Sequence, residues 1–383
     1  MNRVGLVSVS IHNYGSLLQT YAMQKVLDNY GVDNEIVLFK SDPVKQIYRI
    51  FNIPFMTMKV KLLKRIITTR VFYPNIFHGA ALRDRAFMDF KDNYCRFTRK
   101  ITDRKELEAI GNKYKAFVLG SDQVWNPANL EMDFYTLNFV PEAKMKIAYA
   151  PSFGVTTIPN KQKEKTAAYL KRIQFISVRE TAGAKIVNEL TGRNVPVVCD
   201  PTALLTRKQW DEIKTPNRLI EGKYIFCYFL GANSKHREFA NRVKEMTGYK
   251  IVALQHIDEF VKGDLHFGDV TPYNIGPEKF VNLIANAELV LTDSFHGTMF
   301  SIYYEKKFFT FPRYGEGKKD STNSRIVSIL NLMGIPERFL NGSENASVIR
   351  EVIDWDSVQN KLDAFRNESY TYLENALKES ELI

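Results

Sequence analysis

The sequence predicts an α/β protein built from two Rossmann-like, doubly wound domains that face each other across a cleft. Three observations lead to this prediction. Short apolar runs alternate with segments of helical periodicity, which is typical of parallel sheets with crossover helices. Most of these runs are followed by polar or glycine-containing segments, and open parallel sheets bind their ligands at the carboxyl ends of their strands. The length of 383 residues also exceeds what one hydrophobic core usually supports.

The first predicted domain covers residues 1–210. Its first strand is followed by a turn at residues 12–16 and by a helix with apolar residues on one face, which Gly31 ends. The later apolar runs have the length of buried strands and are bounded by turn-forming residues. The predicted strands are residues 4–9, 35–39, 116–119, 146–149, 175–178 and 195–198. The polar stretch 206–222, which contains Pro216, predicts the boundary to the second domain.

The second predicted domain covers residues 220–350 and repeats the same alternation. A helix is predicted at residues 235–246, and residues 280–287 have the spacing of a helix with one apolar face. The predicted strands are residues 224–230, 250–254, 289–291 and 307–311. Residues 351–383 predict a long final helix that crosses back onto the first domain.

The composition is that of a soluble globular protein, with 45% hydrophobic and 25% charged residues. The three cysteines (Cys95, Cys199 and Cys227) are scattered and lack metal-ligand spacing, which favours reduced thiols in the cytoplasm. The first apolar run is too short for a signal peptide, and no apolar stretch is long enough to span a membrane. We therefore expect a cytoplasmic protein without a resident cofactor or metal.

The net charge of +10 is concentrated in one segment. No acidic residue occurs between Asp42 and Asp84, and large apolar side chains alternate there with lysine and arginine. Residues 45–72, within a predicted helical insertion at about 43–85, suit contact with an anionic membrane surface. They equally suit a helix that packs on the domain with a solvated basic face, and both interpretations stay open. No nucleic-acid motif accompanies the segment, so nucleic acid is not an expected partner.

Two motifs of the first domain carry candidate site residues. In GSDQVWNP, residues 120–127, Asp122 and Gln123 are candidates for ligand contacts after a strand, whereas Trp125 and Pro127 are expected to be structural. In NYGSLLQ, residues 13–19, a glycine turn precedes a helix whose first amides could meet an anion or a hydroxyl. Taken alone, this second motif is better explained as a plain strand-to-helix turn.

The motif TDSFHGTMFSI, residues 292–302, predicts a strand-to-helix connection with a histidine in it. Asp293 and Ser294 are good helix caps, and His296 near a helix amino terminus could exchange a proton or bind phosphate. Arg179 follows another strand, where its planar fork could clamp phosphate or carboxylate. A glycine-containing, cation-rich loop follows at residues 312–325 and suits closure on an anionic ligand.

Together these motifs resemble those of the polysaccharide pyruvyl transferase family. The matching segments, in order over residues 13–326, are NYGSLLQTYA, GSDQVWNP, YAPSFG, SVRE, CDPT, TDSFHGTMFSI and NSRI. The resemblance implies a glycosyltransferase-B-like fold. It also implies transfer of a pyruvyl group from phosphoenolpyruvate to a sugar, as a cyclic ketal, in the biosynthesis of a bacterial capsule or exopolysaccharide. The implied acceptor is a sugar, with a polyprenyl-diphosphate-linked oligosaccharide as the candidate, and residues 45–72 would then hold the enzyme at the inner face of the cytoplasmic membrane.

The resemblance also implies roles for individual residues. His296 is expected to act in acid–base catalysis or phosphate binding, and Asp122 to orient or deprotonate an acceptor hydroxyl. Some family members carry an arginine where this chain has Ser294, and Arg179 and Arg325 are the candidates to replace that cation. The expected donor-binding residues are Arg179, Ser294, Gly297, Arg313, Asn323 and Arg325. The expected acceptor-binding residues are Asn13, Tyr14, Gly15, Ser16, Gln19, Ser121 and Gln123.

Two other functions fit the same predicted architecture. A nucleotide-sugar-dependent glycosyltransferase would also place a helix amino terminus and cations against a diphosphate. A non-catalytic sugar-binding or scaffold protein of a polysaccharide complex would need the cleft but not the chemistry. We rank pyruvyl transfer first, glycosyl transfer second and the scaffold third.

Overall fold

The computed structural model describes residues 3–10, 12–39, 60, 63, 66–256, 260–313 and 323–383. Five parallel strands form the sheet of the first domain, in the order β2-β1-β3-β4-β5. They are β1 (Arg3–Val7), β2 (Asp33–Ile36), β3 (Ala116–Leu119), β4 (Met145–Ala148) and β5 (Phe175–Ile176). The central strands are apolar and buried, because helices cover both faces of the sheet.

Helices connect these strands and cover the sheet. They are α1 (Tyr14–Asn29), α2 (Pro74–Tyr94), α3 (Arg104–Gly111), α4 (Lys163–Lys171), α5 (Thr181–Thr191), α6 (Pro201–Leu204) and α7 (Arg207–Ile213). The Asn13 side chain caps α1 by accepting from the Ser16 amide, and Gly31 follows its carboxyl end with a φ of 71°. The prediction that Gly31 ends this helix is therefore confirmed, because that φ favours glycine. The glycine turn predicted at Gly15 is wrong, because Gly15 lies within α1.

The second domain has a four-stranded parallel sheet in the order β7-β6-β8-β9. Its strands are β6 (Tyr224–Tyr228), β7 (Lys250–Ala253), β8 (Leu289–Thr292) and β9 (Phe308–Thr310). Its helices are α8 (Ser234–Thr247), α9 (Pro277–Ala285), α10 (Phe295–Tyr303) and α11 (Asn323–Met333). The predicted fold class, two doubly wound domains, is confirmed.

The final helix, α12 (Trp355–Glu379), crosses back onto the first domain as predicted. The Tyr372 hydroxyl donates to the Ala148 carbonyl at 3.3 Å, and the Ser369 hydroxyl accepts from the Cys199 amide at 2.9 Å. The Leu362 and Leu373 side chains are fully buried. This helix therefore ties the carboxyl-terminal segment to β4 and to the loop before α6.

The two domains also contact each other directly, through α1 and α2 of the first domain. The Tyr14 hydroxyl donates to the Ile275 carbonyl at 3.0 Å, and its ring stacks on Phe280 with centroids 4.5 Å apart. Arg83 of α2 is buried and donates to the Gln255 carbonyl at 2.5 Å. These contacts join α1 and α2 of the first domain to the second domain.

Three sequence predictions differ from the structure or lie outside the described residues. Residues 195–198 are not a strand: Val197 makes only an isolated bridge to Val178, because β5 itself is two residues long. The predicted boundary stretch 206–222 contains α7, which Thr206 and Gln209 begin with a capping box. Most of the basic stretch 45–72 lies outside the described residues. No helix within the described ranges is long and apolar enough to cross a membrane.

Candidate active site

Two neighbouring cavities lie in the cleft, near the carboxyl ends of the strands. The first cavity has a volume of about 320 Å³ and the second about 520 Å³. Phe295 and Arg325 line both of them. The other residues of the first cavity are Val9, Asn13, Ser16, Asp122, Gln123, Asn129, Tyr135, Leu230, Ser294, His296 and Arg313.

His296 stands in the first turn of α10, where the β8–α10 connection turns into the cleft. Ser294 caps this helix by accepting from the Gly297 amide at 3.3 Å. The imidazole packs against Gly15 of the first domain so closely that a β-carbon at Gly15 would overlap the ring. The absence of a side chain at Gly15 is therefore what lets the second domain's histidine reach the first domain.

The carboxylate of Asp200 lies directly behind His296. Its Oδ2 is 3.5 Å from His296 Nε2, 2.8 Å from Arg179 Nη1 and 3.0 Å from the Ser121 hydroxyl. Its Oδ1 accepts from the Thr202 amide at 3.0 Å. Burial alone would raise the pKa of Asp200, but His296 and Arg179 outweigh it and hold that pKa well below its usual range. Asp200 is therefore ionised across the neutral range and can stabilise a positive charge on the His296 ring.

Two buried arginines stack on the Phe295 ring. The Arg179 guanidinium carbon lies 4.6 Å from the ring centroid and that of Arg325 lies 5.9 Å from it. Burial, and then repulsion from Arg179, lower the pKa of Arg325 to about 10. Among the described residues, Nε and Nη2 of Arg179 and Nε of Arg325 have no hydrogen-bond partner. Buried donors of this kind can bind an anion or a hydroxyl oxygen.

Asp122 stands on the first-domain side of the first cavity in a left-handed conformation, with a φ of 79°. Such a conformation is uncommon for a residue other than glycine, asparagine or aspartate, and often marks a functional site. The Ser16 hydroxyl donates to its Oδ2 at 2.5 Å, and Arg179 Nη2 lies 3.7 Å from its Oδ1. Burial would raise the pKa of Asp122, but Arg179 and His296 lower it, so the group is an ionised acceptor.

The structure brings many of the predicted site residues together and places others behind the cavity wall. Those lining the first cavity are Asn13, Ser16, Asp122, Gln123, Ser294, His296, Arg313 and Arg325. The Asn323 side chain accepts from the Arg313 amide at 3.0 Å, beside that cavity. Arg179 lines the second cavity.

The remaining predicted site residues make packing or positioning contacts. Gln19 is fully buried and donates to the Ser16 carbonyl at 2.8 Å, and the Tyr14 hydroxyl points to the domain contact described above. The Ser121 hydroxyl lies between Asp200 and a backbone carbonyl. Gly297 lets α10 approach Thr292, whose hydroxyl would be 2.6 Å from an added β-carbon. None of these residues lines the first cavity, and Gly15 contacts His296 instead.

Sequence reasoning missed the roles of Asp200 and Phe295. One oxygen of Asp200 caps α6, while its other oxygen faces His296 and Arg179. The available signal was position: Asp200 follows an apolar run, as the other site segments do. Phe295 carried no such signal. The structural assignment of Trp125 is confirmed, because it is buried and its indole donates to the Tyr135 carbonyl.

The comparisons with known proteins decide the family. The family model for polysaccharide pyruvyl transferase matches residues 13–313, which is most of the chain and includes Asp122, Arg179, Asp200 and His296. The chain belongs to the polysaccharide pyruvyl transferase family. As a member of that family, it is a transferase of polysaccharide biosynthesis. No curated protein matches the chain.

Solved structures support the fold of this pyruvyl transferase family member. A UDP-N-acetylglucosamine 2-epimerase from Rickettsia bellii is similar with a TM-score of 0.55 and 9% identity, covering 97% of this chain and 96% of the other. A variant of the wall teichoic acid polymerase TagF is similar with a TM-score of 0.53 and 12% identity, covering 99% and 89%. At such low identity these similarities establish the two-domain, glycosyltransferase-B-like fold alone.

Proposed function

We propose that the protein transfers a pyruvyl group from phosphoenolpyruvate to a sugar, forming a cyclic ketal and releasing phosphate. One observation carries this proposal: in a member of this family, the first cavity gathers His296, two arginines and the ionised Asp122 around one space. Such a space suits an anionic donor and an acceptor hydroxyl at the same time. The donor and the acceptor are both part of the proposal.

The donor side of the proposal rests on the cations of the first cavity. Phosphoenolpyruvate carries a phosphate and a carboxylate, so it needs several N–H donors. Arg313 and Arg325 line the cavity, and within the described ranges the Nε of each has no hydrogen-bond partner. The amino-terminal end of α10 adds its helix dipole. These groups, with Arg179 beyond Phe295, would supply the charge that some relatives provide through an arginine at the position of Ser294.

The proposed reaction uses two sugar hydroxyls. An acid protonates the methylene carbon of the donor, which leaves positive charge on the carbon that bears the phosphate and carboxylate. The first hydroxyl attacks this carbon and gives its proton to a base. Phosphate then departs with the electrons of its C–O bond, and the second hydroxyl closes the ring. One hydroxyl proton replaces the proton delivered to the methyl group, and the other leaves with phosphate.

His296 and Asp122 are the proposed acid and base. The Asp200 carboxylate lies 3.5 Å from His296 Nε2 and orients the ring, and His296 is the proposed proton donor to the methylene carbon. Asp122 is held ionised by its neighbours and receives a hydrogen bond from Ser16, so it can accept a proton from the acceptor. Ser294, Asn13 and the other polar residues of the first cavity would then orient the reactants.

The decisive experiment supplies phosphoenolpyruvate with an acceptor panel of methyl hexopyranosides and a bacterial membrane lipid extract. We expect phosphate release together with a product heavier by one pyruvyl unit. The glycosyltransferase alternative predicts nucleotide release and a product heavier by one hexose when nucleotide sugars are supplied instead. His296→Asn should abolish the pyruvyl product, whereas His266→Asn, at an exposed histidine away from the cavities, should retain it. Full pyruvyl transfer by His296→Asn would refute the catalytic assignment.

A lipid-linked acceptor is the second part of the proposal. The described positions of the basic segment expose large apolar side chains, including Val71 at 65% and Phe72 at 70%. Exposed apolar groups among basic residues suit docking on the anionic inner face of the membrane.

Liposome binding tests this docking. The substitutions change four basic residues of the segment to glutamine: Lys59, Lys61, Lys64 and Arg65. We expect binding to anionic vesicles to fall, because each lost charge near the surface weakens it by about 1 kcal/mol. The control removes the same total charge by changing four exposed lysines elsewhere to glutamine: Lys161, Lys163, Lys165 and Lys171. Equal binding by both variants would remove the membrane proposal without affecting pyruvyl transfer.

A further inference from the structure

The second cavity, at about 520 Å³, is the larger of the two, and most of its lining residues have no role in the chemistry proposed above. It lies beyond Phe295, between the start of α5, the loop before α6 and the helices α10, α11 and α12. Its lining combines apolar side chains with charged and polar ones. The wall residues used below are Val197, Met299, Ile329, Leu332 and Phe365.

Several polar atoms of the residues that line the second cavity are buried and have no hydrogen-bond partner. Within the described part of the chain, Arg179 Nε and Nη2, Arg325 Nε and Glu180 Oε2 have no hydrogen-bond partner. Arg179 and Arg325 are each 7% exposed, and Glu180 is 3% exposed. A buried polar atom left unpaired costs about 1–3 kcal/mol, so groups gathered around one cavity point to a ligand.

The orientation of Glu180 is fixed by its other oxygen. Glu180 Oε1 accepts from the Ser152 hydroxyl at 2.9 Å and from the Phe153 amide at 3.0 Å. Oε2 is therefore held in place as an acceptor, while Arg179, the preceding residue, makes its ion pairs with Asp200 and Asp122. Arg179 and Glu180 both line the second cavity, so a fixed acceptor and buried donors share one space.

This combination selects the class of ligand. An anion such as phosphoenolpyruvate would satisfy the arginines, but it would leave Glu180 Oε2 unpaired and would meet a second carboxylate at Glu368. Neighbouring sugar hydroxyls can donate to Glu180 and accept from Arg179, since each hydroxyl does both. The apolar walls and the Phe365 ring suit the C–H faces of a pyranose. The hydroxyls of a neutral sugar can therefore pair with the Glu180 acceptor as well as with the Arg179 donors.

We propose that the second cavity binds a hexopyranose unit of the acceptor, with Glu180 and Arg179 as its polar contacts. This proposal rests on the proposed function and adds a site to it. Phe295 and Arg325 line both cavities, so a reactive hydroxyl that passes the Phe295 edge enters the first cavity. There it meets the donor and the residues predicted for acceptor contact, Asp122 and Gln123.

The test blocks the second cavity and leaves the first one open. Leu332 of α11 lines the second cavity and is 45% exposed, so Leu332→Trp can fill the space without a buried clash. Val327 of the same helix is exposed to a similar degree, at 38%, and lines neither cavity, so Val327→Trp is the matched control. Glu180→Gln is a second variant of nearly unchanged shape.

Binding is measured without turnover. Saturation-transfer NMR with methyl gluco-, galacto- and mannopyranosides reports sugar binding, and calorimetry reports phosphoenolpyruvate binding. We expect at least one glycoside to bind the unmodified protein, and Leu332→Trp and Glu180→Gln to weaken it by about tenfold or more. Val327→Trp should leave sugar binding unchanged, and the Kd for phosphoenolpyruvate should stay within about twofold in Leu332→Trp and Val327→Trp.

Several results would overturn the proposal. They are the absence of binding by every glycoside, unchanged sugar binding in both cavity variants, or a loss of phosphoenolpyruvate binding in Leu332→Trp. The last result would place the donor in the second cavity. A failure of the proposed function looks different: both ligands bind as expected, but no pyruvyl product forms.

Discussion

Replacing Asp200 by asparagine removes the carboxylate charge that faces both Arg179 of the first domain and His296 of the second domain. The Asp200 and Arg179 side chains are 0% and 2% exposed, and the ion pair spans 2.8 Å. The neutral amide would leave the Arg179 guanidinium buried without its closest carboxylate, and His296 would lose its facing anion. Removing one partner of a buried pair costs about 3–5 kcal/mol in the free energy of unfolding, because the remaining charge is uncompensated. We expect Asp200→Asn to lose stability in that range at pH 7.

The pH dependence of this loss has a definite sign. The folded pKa of Asp200 is depressed, so its contribution to stability is fully present above the unfolded pKa, about 3.9, and is lost as the pH falls toward the folded pKa. Asparagine does not titrate. The difference in unfolding free energy between the two proteins should therefore be largest near neutral pH and shrink below about pH 4.

Urea unfolding followed by tryptophan fluorescence measures this difference at a series of pH values. The matched control is Asp363→Asn, because Asp363 pairs with Arg366 while its side chain is 59% exposed. That surface pair should contribute within about 1 kcal/mol. A loss in Asp200→Asn no larger than that of the control at pH 7, or a deficit that stays constant into the acid range, would refute the role given to the buried pair.

Three further predictions concern packing and reactivity. Gly15→Ala should lower kcat/KM for pyruvyl transfer at least about tenfold, because the new methyl group overlaps the His296 ring; near-normal turnover would show that the ring can shift. Arg83→Met should lower the unfolding free energy by about 1–3 kcal/mol in urea titrations, because it leaves two second-domain carbonyls without their donor, and an unchanged midpoint would contradict this. Burial raises the pKa of Cys95 to about 12 and that of Cys199 to about 11, so iodoacetamide at pH 8 should label both far more slowly in native than in urea-unfolded protein. Rapid labelling of either thiol in native protein would count against the packing described here.

The elements of the fold could be read from local pattern. The prediction for residues 116–119 coincides with β3, and the predicted helix 235–246 differs from α8 by one residue at each end. Buried parallel strands and one-faced helices leave such periodic signals in the sequence. The strand prediction for residues 195–198 was wrong. An apolar run forms a strand only beside a partner strand of sufficient length, and the two-residue β5 does not supply one.

The sequence predicted which segments form the site but not which side chains contact each other in it. His296 and Asp122 were identified from their positions beside strand ends, and both line the first cavity. Asp200, which contacts His296 and Arg179, was not identified, because it is far from His296 and Asp122 along the chain. No local pattern reports which carboxylate of one segment will face a histidine of another.

The sequence alone determined the family, the two parallel-sheet domains and the helix start that presents His296, because motifs, apolar periodicity and capping residues act over a few neighbouring positions. Only the tertiary structure decided that Gly15 admits the histidine ring, that Asp200 stands behind it, and that Phe295 separates two cavities. Those relations join different domains. Their geometry depends on how the two sheets dock, which is set by α12 and by the packing between the domains rather than by any segment on its own.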